Sequence, residues 1–221
     1  MKKQALVIGL GQFGMSLART LSERGVEVLA VDRSEARVQL ASTFAAQAAA
    51  FEATDEESLA RTEPERRDVC VVTIGLESRE GAIIVTALLR QMGAKRVVAR
   101  ASDELMEKIL YLVGAHEVVN PEKAFGERLA SRLLYEGLLD QVRLGSDLLI
   151  TEVRPPGSMV GRTLIELALP KRFDVTVVGM RRTVEGRGRL VMPNPTEPLR
   201  AEDILVVVSE EGKVQTMLES K

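Results

Sequence analysis

The 221-residue sequence predicts an α/β protein: an open, doubly wound parallel sheet with helices on both faces, followed by a smaller α+β unit. Two observations carry this. Up to about residue 120, short continuous apolar runs alternate with stretches of helical apolar spacing, which is the pattern of successive βαβ units. Beyond about residue 140 the alternation stops, and Pro155, Pro156, Pro193, Pro195 and Pro198 punctuate short strand-like runs. The length, more than one average domain and less than two large ones, fits a full domain with an appendage. The expected domains are residues 1–140 and 141–221.

Taken in order, Ala5 to Ile8, Val26 to Val31, Ala48 to Phe51, Asp68 to Ile74, Arg96 to Ala99 and Glu117 to Val119 read as buried strands. They are apolar on successive residues, as a strand covered on both faces must be. Between them, Met15 to Arg24, Ser34 to Ala46, Glu56 to Arg61, Glu80 to Met92 and Asp103 to Val113 carry helical spacing, with Ser34 and Asp103 as capping residues. Pro121 opens a longer helical pattern, PEKAFGERLASRLLYEGLLDQVRL, with Phe125, Leu129, Leu133 and Leu134 on one face and a break at Gly145. In the tail, strands are expected at Leu148 to Arg154, Val175 to Arg181 and Ile204 to Ser209, with short helices at Thr163 to Leu167 and Glu211 to Leu218. This small unit has few apolar residues of its own, so it is expected to pack against another surface, a second copy being the simplest.

Composition excludes several functions. A formal charge of −2 gives no basic field for phosphate backbones, and 3% aromatics without Trp give no base-stacking platform, so nucleic acid is not an expected partner. A single cysteine, Cys70, permits no disulfide framework and no cysteine-based metal site within one chain, and fits a buried thiol in a reducing compartment. The opening MKKQALVIGLG is too short in its apolar run for a signal peptide, and nowhere do about 18 apolar residues follow one another. A cytoplasmic location is expected, with any membrane role exerted through a partner.

The residues that carry chemistry stand at the first turn. In VIGLGQFGMSLARTL, Gly9, Gly11 and Gly14 form G-x-G-x-x-G between a strand and a helix, and the second strand ends in Asp32. Gly9 permits the tight turn, Gly11 lets a pyrophosphate approach the backbone, and Gly14 lets helix and strand pack closely, with phosphate at the helix N-terminus. This is the Rossmann-type fingerprint. Asp32 is placed to accept ribose hydroxyls and repels a 2′-phosphate, which favours NAD(H) or an adenosine di- or triphosphate over NADP(H); Arg33 beside it either offsets part of that repulsion or is a solvated surface arginine. The alternative is a structural turn with Asp32 as a helix cap. A hydride-transfer enzyme also needs a proton donor or acceptor. The one histidine, His116, reads as a strand-edge residue, and Tyr111 and Tyr135 as helix-packing residues. No cluster has transition-metal spacing.

The glycine loop and Asp32, together with FEATDEESL, the TIG of VVTIGLESREGAIIVTALLRQMGA, VGAHEVVNPEKAFG, GSMVGRTLIEL and EPLRAEDILVVVSEEGKV, resemble the RCK regulatory subunits of Trk and Ktr potassium uptake systems, built from TrkA-N and TrkA-C domains. The resemblance runs along essentially the whole chain. It implies a TrkA-C type C-terminal domain and a homodimer that assembles into an octameric ring beneath a membrane-embedded potassium-translocating subunit, where nucleotide changes the ring and gates the pore. It implies that Gly9, Leu10, Gly11, Gln12, Phe13 and Gly14 cradle phosphates and that Asp32 and Arg33 hold the ribose of ATP, ADP or NAD(H). Ala53, Thr54 and Asp55 then line the adenine, Thr73, Ile74 and Gly75 cover the ribose and phosphates, and Arg100 is a basic position at the end of the fifth strand. Glu122 matches an acid that takes part in divalent cation binding between subunits, though a first-turn Glu favoured by the helix dipole explains it equally well.

Two departures stand out. Members that respond to ATP against ADP carry Arg where this chain has Gln12, and a neutral amide is a poor counter-charge for a third phosphate. The segment that binds cyclic di-AMP in some members aligns with LPKRFD, where Pro170 stands near the expected arginine and Lys171 and Arg172 follow, so that ligand is not among those expected. Three readings follow: a nucleotide-binding regulatory subunit without catalysis, a small NAD-dependent oxidoreductase, and a structural dimerisation protein with a vestigial pocket.

Overall fold

The computed structural model describes residues 2–220 apart from 146, 185 and 186, without the side chains of residues 76, 183, 184, 187 and 188. The chain divides into two compact units, Met1–Glu122 and Lys123–Lys221.

In the first unit, β1 (Gln4–Ile8), α1 (Gln12–Glu23), β2 (Glu27–Asp32), α2 (Glu35–Ala41), β3 (Gln47–Ala50), α3 (Glu56–Ala60), β4 (Val69–Val72), α4 (Arg79–Gln91), β5 (Val97–Arg100), α5 (Glu104–Leu112) and β6 (Glu117–Val119) alternate along the chain. The strands pair in parallel in the order β3-β2-β1-β4-β5-β6, the Rossmann arrangement. The uniform apolarity of the strands has a direct cause. Along β1, Leu6 and Ile8 face a core that includes Leu59, Val85, Leu89 and Leu110 from α3, α4 and α5, whereas Val7 faces Ala18 and Ala41 from α1 and α2. Neither face meets water, and all four residues from Ala5 to Ile8 are buried. Asp55 and Asp103 cap α3 and α5, accepting from the Ser58 and Met106 amides at 3.2 and 2.9 Å. Strand order reverses between β1 and β4, and at such a switch the loops leaving neighbouring strands turn apart and open a crevice.

The second unit contains most of α6 (Pro121–Leu134), then β7 (Leu138–Leu144), β8 (Leu148–Val153), α7 (Leu164–Leu167), α8 (Leu169–Phe173), β9 (Thr176–Val184), β10 (Arg187–Val191), β11 (Ile204–Glu210) and α9 (Lys213–Glu219). Its strands form an antiparallel sheet ordered β10-β9-β11-β8-β7. One face of β8 and β11, with Val153, Leu205 and Val207, packs on Leu167, Leu169, Val214 and Met217. Under it lies a buried ion pair: Arg182 donates through Nε and Nη2 to both oxygens of Asp203 at 2.8 and 2.7 Å, and also reaches Glu197. Burial alone would raise Asp203, but hydrogen bonds from Arg182 and the Arg200 amide outweigh it and hold the carboxyl below its usual range.

The structure corrects one element. The helical pattern read from Pro121 through Leu144 ends at Leu134, and Leu138–Leu144 is the edge strand β7. Gly137 makes the turn: its φ of +90° is left-handed, and a Cβ there would stand 3.3 Å from the Arg154 carbonyl. Leu138 is then buried, and Asp140 binds Arg128 of α6 at 2.6 Å. Strand β10 and helix α8 were also outside the sequence reading. Among the described residues, no helix is long and apolar enough to cross a membrane.

Candidate functional site

The carboxyl ends of β1, β2, β4 and β5 surround an open crevice of about 340 Å³. Its floor is the turn after β1. Gly9 takes a φ of +95°, its amide donates to the Val31 carbonyl at 2.8 Å, and a Cβ on it would lie 2.9 Å from the Ile74 nitrogen. The Thr73 hydroxyl lies 2.5 Å from the Gly9 carbonyl oxygen and 3.0 Å from that of Ile8, tying the loop after β4 to the same turn. Gly14 is close-packed: a Cβ there would overlap the Gly9 carbonyl oxygen and the Thr73 hydroxyl. Gly11 is the opposite case. A Cβ on it would meet nothing of the protein within 4 Å, and it lines the crevice. It caps α1 in extended conformation without a side-chain cap, so the first-turn amides, which have no carbonyl one turn back, remain for a ligand.

Asp32 closes the β2 end. Its side chain is nearly buried; Oδ2 accepts the Leu10 amide at 2.6 Å and Oδ1 the Ser34 amide at 2.8 Å, while Arg37 Nη1 stands 3.6 Å from Oδ2. A carboxylate has about four acceptor positions, so two remain for hydroxyls. At the β5 end, Arg100 pairs with Glu122, lies over the Phe13 ring at 5.9 Å, and keeps a buried Nε with no hydrogen-bond partner. Lining side chains balance in charge: Asp32, Glu52 and Glu77 against Arg33, Arg37 and Arg100.

Of the residues expected from sequence, Gly9, Gly11, Gln12, Asp32, Arg33, Ala53, Thr73, Ile74, Gly75 and Arg100 line the crevice. Five others are adjacent. Leu10 is buried beneath the turn and contributes its amide to Asp32; Phe13 packs under Arg100; Gly14 is interior; Thr54 follows the lining; and Asp55 is the α3 cap, its carboxyl held below the usual range by hydrogen bonds with Ser58. Sequence reasoning missed Arg37, Phe51, Glu52, Glu77 and Ser78. Arg37 had a signal: it lies one helical turn after Arg33, on the segment leaving Asp32. Glu122 is exposed and paired with Arg100, and among the described residues no three His, Cys, Asp or Glu side chains gather where they could hold a metal. His116 accepts the Val97 amide on Nδ1 at 2.8 Å, at the β5–β6 edge and away from the crevice lining.

The open space at Gly11 beside the first-turn amides of α1 and the remaining acceptor capacity of Asp32 both border the crevice, one suited to an anion and the other to hydroxyl donors. Comparison with known proteins places the chain. A TrkA-N domain model matches residues 5–121 and a TrkA-C domain model residues 149–220. The Ktr system potassium uptake protein C of Bacillus subtilis (strain 168) is 33% identical over 208 residues, covering 94% of this chain and 92% of that protein. The Ktr system potassium uptake protein A of Vibrio alginolyticus is 34% identical over 218 residues, covering 99% and 97%. Among solved structures, the GsuK channel bound to NAD superimposes with a TM-score of 0.71 at 18% identity, over 100% of this chain and 40% of that one. The glycine turn, the strand order and this two-domain match agree: the chain belongs to the TrkA-N/TrkA-C family, alongside the Ktr system potassium uptake proteins.

Proposed function

We infer that this chain is a cytoplasmic regulatory subunit that binds an adenine nucleotide, ATP, ADP or NAD(H), and thereby gates a membrane-embedded potassium-translocating partner. The observation that carries the reading is the crevice at the β1 turn, with Gly11 bare toward open space and Asp32 at the end of β2. The diphosphate would sit on the first-turn amides of α1, the adenosine ribose on Asp32, and the adenine toward Phe51 and Ala53. A regulatory role is supported by the lining, which holds no His, Lys, Tyr or Cys among the described residues, the groups that usually move a proton beside a hydride transfer. Nucleotide acts by binding one conformation of the assembly better than another, so its differential affinity sets how far the pore is biased.

The assembly proposed is a homodimer that builds an octameric ring. Helix α6 supports it: Phe125, Leu133 and Leu134 are exposed, and no residue of the helix is buried in the single chain. A divalent cation bridging subunits through Glu122 belongs to the same proposal, carboxylate oxygen being the donor a hard cation takes.

The decisive experiment is to denature the purified protein and identify what it releases by mass spectrometry, then titrate the emptied protein with ADP, ATP and NADH by calorimetry. An adenine nucleotide in the supernatant and saturable heat are expected. No released nucleotide and no heat at millimolar ligand would end this reading, and steady NADH oxidation with a carbonyl substrate would replace it with the oxidoreductase.

A further inference from the structure

The peptide that joins Gly9 to Leu10 is held from two strands. Its N–H, the Leu10 amide, donates to Asp32 Oδ2 at the end of β2 at 2.6 Å, and its carbonyl, that of Gly9, accepts from the Thr73 hydroxyl after β4 at 2.5 Å. One planar unit therefore spans the place where strand order reverses. Gly11 and the first-turn amides of α1 follow it in the chain and take their direction from its plane. Left to itself that plane is free to tilt, because Gly9, at a φ of +95°, lacks the Cβ that would confine its torsions.

Thr73 is built to supply the restraint. Its backbone is fixed: the amide donates to the Ile8 carbonyl at 2.8 Å and carries the β1–β4 ladder one residue past Val72. Its side chain is stiff at the branched β-carbon and the residue is 2% exposed, so the hydroxyl is spent on the turn. A hydroxyl has one proton, and of the two carbonyl oxygens it faces, that of Gly9 is nearer than that of Ile8 at 3.0 Å. Room for the hydroxyl exists because position 14 is glycine, where a Cβ would overlap it.

We propose that Thr73 is a positioning residue for the diphosphate: it holds the Gly9–Leu10 peptide so that the amides beyond it face the crevice, and does so without touching the ligand. The proposal rests on the reading of the crevice as a nucleotide site, and adds which side chain aims its phosphate-binding turn. Asp32 is not enough for this. Once ribose hydroxyls donate to its carboxylate, the charge is shared among more donors and its hold on Leu10 weakens. The Thr73 bond stands on the other side of the peptide, out of reach of the ribose. It also polarises the unit, since an amide whose carbonyl accepts a hydrogen bond donates more strongly.

The test uses the full chain, emptied of nucleotide and carrying isotope-labelled leucine, as Thr73→Val, which keeps the shape and loses the hydroxyl, and as Thr73→Ser, which keeps the hydroxyl. In the free protein the Leu10 amide proton, deshielded by the Asp32 carboxylate, is expected to move upfield in Thr73→Val and to hold its position in Thr73→Ser. By calorimetry, ADP is expected to bind about tenfold more weakly to Thr73→Val, the effect of one hydrogen bond whose acceptor is left unsatisfied, and within about threefold of wild type to Thr73→Ser. Adenosine has no phosphate to misalign, so its affinity, read by displacement of labelled ADP, should change by no more than about twofold in either variant. Wild-type ADP affinity or an unmoved Leu10 amide in Thr73→Val overturns the proposal and leaves the nucleotide reading standing. Equal weakening of ADP and adenosine does the same, as does failure of Thr73→Ser to restore what Thr73→Val loses. Absence of binding of both ligands to the wild type overturns the nucleotide reading, and this proposal with it.

Discussion

Asp32 illustrates how one side chain holds a site and shapes it. Its two oxygens fasten the amides of Leu10 and Ser34, which belong to the turn after β1 and the start of α2, before any ligand arrives. Asp32→Ala is therefore expected to cost roughly 1–3 kcal/mol in nucleotide binding and a comparable amount in unfolding free energy, since buried amides lose a charged acceptor. Paired calorimetry and urea denaturation check this; a weaker affinity with unchanged stability would mean the turn does not depend on the carboxylate. Cys70 has a different signature. Burial in the sheet pushes its thiol up from about 9 to about 12, so the unfolded chain loses the proton first. The stabilisation is whole below about pH 9 and drains away as pH rises toward 12. The unfolding free energy of the wild type should accordingly fall faster over that range than that of Cys70→Ala, and parallel profiles would refute the assignment.

At the scale of elements, the three glycines of the β1 turn make separable predictions. Gly14→Ala drives a methyl into the Gly9 carbonyl and the Thr73 hydroxyl, so stability should fall by about 1–3 kcal/mol, the range for overpacking. Gly11→Ala meets no protein atom, so it should leave the melting temperature nearly unchanged while abolishing nucleotide binding. Equal loss of stability in both variants would contradict the geometry. In the second unit, Arg182→Met removes the partner of a fully buried carboxylate and should cost about 3–5 kcal/mol in denaturant unfolding. The parallel sheet was legible in the sequence because strands covered on both faces cannot tolerate polar residues, and the glycine spacing marked the turn where ligands bind in such sheets. Strand β7 was not legible: the leucines at 133, 134, 138, 139 and 144 suit a helix as well as a strand, and the distinction rests on Gly137 turning against Arg154, a long-range contact. Glu77 and Ser78 escaped for a related reason. Which side chains of a loop face a crevice depends on how the loop crosses the sheet edge, and spacing along the chain does not encode that.

For the whole molecule, the two compact units part at Glu122, whereas the sequence predicts a boundary near residue 140. We expect a fragment of residues 1–122 to fold and retain nucleotide binding, because its sheet and both helical layers are complete within that span; a featureless circular dichroism spectrum of the fragment would reject this. Helix α6 has a broader consequence. A helix of 14 residues is marginal in water on propensity alone, and this one leaves Phe125, Leu133 and Leu134 exposed, with none of its residues fully buried. If the proposed homodimer covers that face, mass action governs how ordered the helix is in solution. The transition temperature should climb with protein concentration across a dilution series, and replacing Phe125 with Glu should flatten that dependence. If that association forms, the integrity of each copy of α6 would depend on how much of the protein is present, so that scarcity alone would loosen it.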